Sequence, residues 1–331
     1  AVHDLSPDKS NRYPEKDWKP EAKPGVGELI ISGYFNALRQ PQKYLETVVR
    51  SVPGIARLAA EISNGDLSIA GARTPPKTRF NAKVSSHRVF DAAAFPLAGV
   101  RAIREVVPGA TVNDVILAII GGGLRQYLVE KDELPDLSLT AMAPISVRQE
   151  GEKAALGNLV SAMVVSLGTH IADPIERLAH IHLDAINSKG LTNAVGARTL
   201  TDYSQLIPSG LAGLGARLYT RLGVANAMAP VFNVVATNVP GSRVPLYFCG
   251  AKMVKMMGLG PIFDSMGMIN TIYSYVDEIA ISFTCDRDMM PDPSAYADAL
   301  LASFEALLTA AEAPTKPVVK VSKPKKIKEK V

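Results

Sequence analysis

The chain has 331 residues, 47% hydrophobic and 21% charged, which is ordinary for a globular protein and enough to bury a large core. Its two cysteines, Cys249 and Cys285, form no disulfide framework and fit a reducing, cytoplasmic compartment. The net charge of +4 is uneven: residues 316–331 hold seven Lys and one Glu, so this tail carries +6 and the rest of the chain −2, which excludes a broadly basic nucleic-acid-binding domain.

Residues 1–27 carry Pro7, Pro14, Pro20 and Pro24 among charged side chains and read as an extended linker. Glu28 to Gln40 and Pro41 to Ser63 read as amphipathic helices, the second broken at Pro53-Gly54. Residues 64–86, rich in Gly, Pro, Ser and Asn, read as a long loop. His87-Arg88-Val89-Phe90 opens a strand, and Pro96 to Val107 is a helix. Pro108-Gly109 then turns the chain into the stretch TVNDVILAIIGGGLRQYL, Thr111 to Leu128. Thr111 followed by Asp114 is a capping-box-like helix start. A carboxylate in a first turn is favoured by about 0.3–1 kcal/mol. Val115 to Leu124 is apolar on most sides, which predicts a buried helix. That run falls short of the ~18–20 residues a membrane span needs, and no signal peptide is expected. Gly121, Gly122 and Gly123 each cost about 1 kcal/mol against Ala inside a helix, so another backbone is expected to approach closely there.

Leu137 to Val147 and Asn158 to Leu167 read as strands, the first apolar enough to be central. Arg148 ends that strand and needs a partner, for which Asp114 is a candidate. Asp173 caps a helix from Pro174 to about Asn187. Residues 194–228 read as one or two helices rich in small residues. Phe232 to Asn238, Val244 to Cys249, Ala251 to Met257, Ile269 to Val276 and Ile279 to Cys285 are short strands, the last two joined at Asp277-Glu278. Pro293 to Ala310 is a final helix. Strands and helices interleave without a regular βαβ rhythm, so the fold class is α/β, a mixed sheet flanked by helices.

Most chemical motifs are excluded. His180 and His182 point about 200° apart on a helix and cannot share a metal. No HExxH, CxxC or GxSxG pattern occurs, so neither a metal site nor a hydrolase elbow of that kind is expected. GLAGLGARL follows no clear strand and lacks Lys-Ser/Thr, so it is not read as a nucleotide loop. Asp286, Asp288 and Asp292 lack the glycine and terminal Glu of a calcium loop and read as a hairpin-to-helix turn. Three stretches stay open. Asn113-Asp114 is a helix cap or a polar pair facing the interior. Thr237-Asn238-Val239-Pro240-Gly241 is a turn closing a strand or part of a site. Gly250-Ala251 ends a strand or widens a pocket.

The Asn113-Asp114 pair opening an apolar helix, taken with PPKTRFNAKVSSHRVF (Pro75 to Phe90), APISVR (Ala143 to Arg148), NVVATNVPG (Asn233 to Gly241), GPIFDSMGMINTIYSY (Gly260 to Tyr275) and CDRD (Cys285 to Asp288), resembles bacterial wax ester synthase/acyl-CoA:diacylglycerol acyltransferases across roughly residues 75–310. The resemblance implies the C-terminal half of a chloramphenicol acetyltransferase-like fold. It divides the chain into a crossover linker (1–27), an acyltransferase domain (28–312) and a basic disordered tail (313–331). It implies transfer of a fatty acyl group from acyl-CoA, a substrate and not a cofactor, to a long-chain alcohol or diacylglycerol. Asn113, Asp114, Arg148, Thr237 and Asn238 would support the active site, and Gly241, Gly250 and Ala251 would line the substrate. The family's HHxxxDG motif, which carries the catalytic base, is not in the chain. An N-terminal half bearing it is therefore an expected partner. A membrane or lipid-droplet surface met by the tail is another, nucleic acid is not one, and no metal is expected. Two rival readings are a non-catalytic lipid- or partner-binding module on an acyltransferase scaffold, and a related coenzyme A-dependent enzyme acting on a polyketide or amine.

Overall fold

The computed structural model describes residues 4–7, 25, 75–146, 160–195 and 230–313. The helices expected at 28–63, all but the first two residues of those expected at 194–228, most of the linker and the tail beyond 313 lie outside the described residues.

A 3-10 turn, Arg79–Asn81, precedes strand β1 (Arg88–Pro96), helices α1 (Leu97–Val106) and α2 (Val112–Glu130), strands β2 (Thr140–Ser146) and β3 (Val160–Ser166), and helix α3 (Pro174–Val195). Strands β4 (Val234–Val239), β5 (Tyr247–Phe248), β6 (Ala251–Lys252), β7 (Met268–Tyr275) and β8 (Glu278–Asp286) follow, and helix α4 (Pro293–Glu312) comes last. Six strands form one sheet in the order β1-β8-β7-β4-β2-β3. It is mixed, as expected: β4 runs parallel to β2 and β7, and the other neighbours are antiparallel. Even-numbered positions of the middle strands (Val234, Ala236, Met268, Ile272) join the helices in one core. The alternating Val235 and Ile269 face the other way, into a small cluster with Ile262.

Helix α2 runs through the main core. Val115, Leu117, Ile119, Ile120 and Leu124 are fully or almost fully buried, each contributing about 1.5–3 kcal/mol of apolar burial. By length and composition α2 could cross a membrane, yet 72% of the apolar window is buried inside the protein, as in a core helix. The glycine triplet does what its cost implied. A Cβ on Gly121 would overlap the Leu167 carbonyl at the end of β3. One on Gly122 would overlap the Ser303 hydroxyl of α4 and crowd the Arg177 guanidinium of α3. One on Gly123 would sit 3.0 Å from the Leu300 side chain. Three elements thus close on one turn of α2. Burial, with Arg125 nearby, lowers the pKa of Arg177 to about 10.

Three expectations are corrected. Helix α3 extends to Val195, eight residues past Asn187; its start is as read, with Asp173 Oδ1 accepting from the Ile175 and Glu176 amides. The strands expected over 244–249 and 251–257 shrink to two residues each, because Cys249 and Gly250 take positive φ (51° and 85°) and turn the chain tightly. The Met253 amide still donates to the Leu246 carbonyl at 2.8 Å, after which the chain leaves that ladder, and Gly258 is held at the sheet by the Ser282 hydroxyl. The last hairpin turns at Val276-Asp277, one residue earlier than read, with Tyr275 opposite Glu278 and Val276 at φ 52°. The linker's start is also anchored: Asp4 and Tyr247 exchange backbone hydrogen bonds of 2.9 and 2.8 Å. The Asp286 turn is as read. The Asp286 carboxylate is buried and accepts from the backbone amides of Ser85 (2.6 Å) and Asp288 (2.9 Å).

Gly121→Ala is expected to lose about 1–3 kcal/mol in urea unfolding through overpacking, despite the helix-propensity gain. Unchanged stability would show that the approach of Leu167 is not tight. The thiols should also separate. Burial pushes the Cys285 thiol up to about 12 while Cys249 is exposed. A thiol reagent at pH 8 should therefore titrate Cys249 alone in the native protein and both cysteines in denaturant.

Candidate functional site

The polar start of α2 is a full capping box. Thr111 Oγ1 accepts from the Asp114 amide at 3.2 Å, and Asp114 Oδ2 accepts from the Thr111 amide at 2.8 Å. This satisfies two backbone donors that a helix start leaves free. Asp114 is 1% exposed, so a second duty for its carboxylate is physically demanded. It is met from α3: His182 Nδ1 lies 2.9 Å from Asp114 Oδ2. The other carboxylate oxygen, Oδ1, has no hydrogen-bond partner among the described residues.

Asn113, one residue earlier, is half-buried at the rim. Its Oδ1 accepts from Asn238 Nδ2 at 3.4 Å, across a separation of 125 residues. The sheet explains the meeting. Strands β2, β4 and β7 run parallel to one another, so their carboxyl ends share one edge of the sheet. Open α/β sheets bind ligands outside such ends. Thr237, Asn238 and Val239, expected as part of a turn, are still paired with β7, and the chain leaves the sheet there at Pro240-Gly241. Gly241 packs directly on Ser274, donating its amide to Ser274 Oγ at 3.1 Å, and a side chain at this position would overlap the Ser274 carbonyl. The end of β4 is therefore pinned to β7, and from it the exposed Asn238 amide reaches the start of α2.

The structure brings Asn113, Asp114 and Asn238 together, with Thr237 preceding Asn238 on β4. Gly250 and Ala251 lie in the β5–β6 hairpin, where Ala251 is exposed. Arg148 lies outside the described residues; β2, the strand it follows, ends at Ser146. Asp114 has a partner other than the expected arginine, and sequence reasoning missed it. The requirement for a partner was legible; the choice of His182 was not, because it depends on how α3 lies against α2. The two histidines of α3 do diverge as read. His180 Nε2 lies 3.1 Å from Ser166 Oγ of β3, and its ring meets His170 edge-on at 5.5 Å. Among the described residues no group of three His, Cys, Asp or Glu side chains is placed to hold a metal.

The assembled groups are two amides and a buried carboxylate–imidazole pair at a helix N-terminus. Such amides can donate to an oxygen that gains negative charge, and the positive end of the helix dipole adds to the effect.

Comparisons with known proteins agree with the motifs. The family model of the wax ester synthase/diacylglycerol acyltransferase catalytic domain matches residues 1–116, and that of the WS/DGAT C-terminal domain matches residues 156–308. The first match begins upstream of the 75–310 span over which the motifs run. A candidate diacylglycerol O-acyltransferase of Mycobacterium bovis is 32% identical over 307 residues, covering 89% of this chain and 66% of that protein. One of Mycobacterium tuberculosis is 33% identical over 270 residues, covering 81% of this chain and 58% of that protein. The chain therefore spans a little under two thirds of the length of these relatives. The solved wax ester synthase/diacylglycerol acyltransferase from Marinobacter aquaeolei VT8 superposes with a TM-score of 0.60 at 23% identity, covering 94% of this chain and 63% of that one. This likeness bears on the fold.

Asp114→Ala strips the Thr111 amide and the His182 ring of their acceptor. It is expected to cost about 1–3 kcal/mol in urea unfolding. Asn238→Ala, at an exposed position, should stay within about 0.5 kcal/mol of the parent. Equal stability of the two variants would remove Asp114 from the structural account.

Proposed function

Because the chain belongs to the wax ester synthase/diacylglycerol acyltransferase family, we propose that it forms part of an O-acyltransferase that moves a fatty acyl group from acyl-CoA to a long-chain alcohol or diacylglycerol. The observation that carries this reading is the contact of Asn113 with Asn238. It joins the Asn-Asp helix start to the TNVPG stretch, two of the several stretches that carry the resemblance.

In this reading a histidine of an HHxxxDG segment, supplied from outside these 331 residues, takes the proton of the acceptor hydroxyl. The alkoxide oxygen attacks the thioester carbonyl and a tetrahedral oxyanion forms. Its collapse breaks the carbon–sulfur bond, and the departing coenzyme A thiolate takes up the proton. The Asn238 amide sits at the edge of the sheet where it can donate to that oxyanion. The capping box keeps Asn113 in register beside it. The lysines of 316–331 add attraction to anionic lipid, about 1 kcal/mol for each Lys near the surface. In this proposal they bring the enzyme to the membrane or droplet where its acceptor resides.

The test is release of free thiol from palmitoyl-CoA in the presence of hexadecanol or diacylglycerol, with this chain alone and with the same chain extended upstream through HHxxxDG. Turnover only in the extended protein is the expected result. Turnover by the chain alone would place the base within it, and no turnover in either would reject acyl transfer in favour of binding without chemistry.

A further inference from the structure

The Asp114 carboxylate is held from two sides. At the start of α2 it accepts from the amide of the cap residue Thr111, and from α3 it is met by the His182 ring at 2.9 Å. Among the described residues no other side chain from outside α2 bonds to it. With the carboxylate as acceptor, Nδ1 of His182 is the donor of this bond. The ring's far side is confined as well. Gly109, at φ 89°, lies against it, and a Cβ at that position would stand 3.2 Å from Nε2. The imidazole is thus clamped between the carboxylate in the first turn of α2 and the Pro108-Gly109 turn that feeds that helix. Its side chain is 12% exposed.

What the clamp aims is Asn113. That residue shares the first turn with Asp114, and its amide reaches Asn238 at 3.4 Å, near the outer limit of a hydrogen bond. A contact at that limit is lost by a shift of a few tenths of an ångström. We infer that His182 is a positioning residue. Through Asp114 it fixes the first turn of α2, and so sets where the Asn113 and Asn238 amides stand relative to the reacting carbonyl. This rests on the acyltransferase reading above; the pairing on which it is built does not.

The experiment uses the full enzyme, extended through HHxxxDG, with thiol release from palmitoyl-CoA and hexadecanol as the assay and thermal melting run on every variant. His182→Ala is expected to lower kcat by about 10–100-fold, as misplacement of a site by up to 1 Å does, with KM for palmitoyl-CoA within about threefold. His182→Asn sets an amide N–H at the Nδ1 position and should recover most of kcat. His182→Gln carries its amide to the Nε2 position and should not. Parent-like kinetics in His182→Ala would overturn the proposal. So would a His182→Asn variant that melts like the parent but is as slow as His182→Ala, since Nε2 would then be the atom that matters. If the parent enzyme releases no thiol, the acyltransferase reading fails, and the pairing is judged by nitrogen-15 spectra of histidine-labelled protein. A protonated Nδ1 on His182 that shifts in Asp114→Asn supports the clamp, and an unprotonated Nδ1 rejects it. The same spectra decide the matter if His182→Ala does not fold.

Discussion

Close approach to helix α2 is the constraint on which the rest of the structure depends. A helix apolar on nearly every side has no face to offer water, so it must be covered all round. Three consecutive glycines let that happen at short range. The end of β3, the Arg177 side chain of α3 and the Leu300–Ser303 stretch of α4 all reach the same turn. Each missing side chain costs helix propensity, and the packing recovers it through contacts at near-crystalline density. A helix seated so firmly has a well-defined start, and that start carries the polar groups.

The position of those groups follows from the strand directions. Because β4 runs parallel to both of its neighbours, its carboxyl end opens where theirs do. Backbone groups at that edge are no longer paired in the ladder and become free to meet side chains or ligands. The capping box orders one side of the opening and the Gly241–Ser274 contact orders the other. Neither depends on a flexible surface loop, which is how a scaffold holds amides in place for a reacting carbonyl.

Much of this is written in short-range patterns. The cap at Thr111 and Asp114, the N1 proline after Asp173 and the apolar run of α2 are local in origin, since each rests on residues within one or two turns. The places where reading failed are tertiary. Val244 to Met257 has strand-like composition, yet it forms only a short hairpin closed at Cys249 and Gly250, whose last backbone bond runs from Met253 to Leu246 before the chain leaves the ladder. The shift of the last hairpin to Val276-Asp277 required a β-branched residue at positive φ, which propensity disfavours and tertiary contacts enforce: Val276 donates to Ser242 and Asp277 accepts from Leu97.

The sequence by itself determined that this is an α/β chain with a buried, glycine-bearing helix, that Asn113 and Asp114 stand at its polar start, and which family its motifs resemble. Those properties reside in side-chain chemistry and spacing along one segment. The tertiary structure alone decided that Asn113 meets Asn238 and that Asp114 is matched by His182. These are contacts across 125 and 68 residues. A buried carboxylate announces that it needs a donor, but which donor arrives is set by how helices and strands pack, and packing is a property of the whole core.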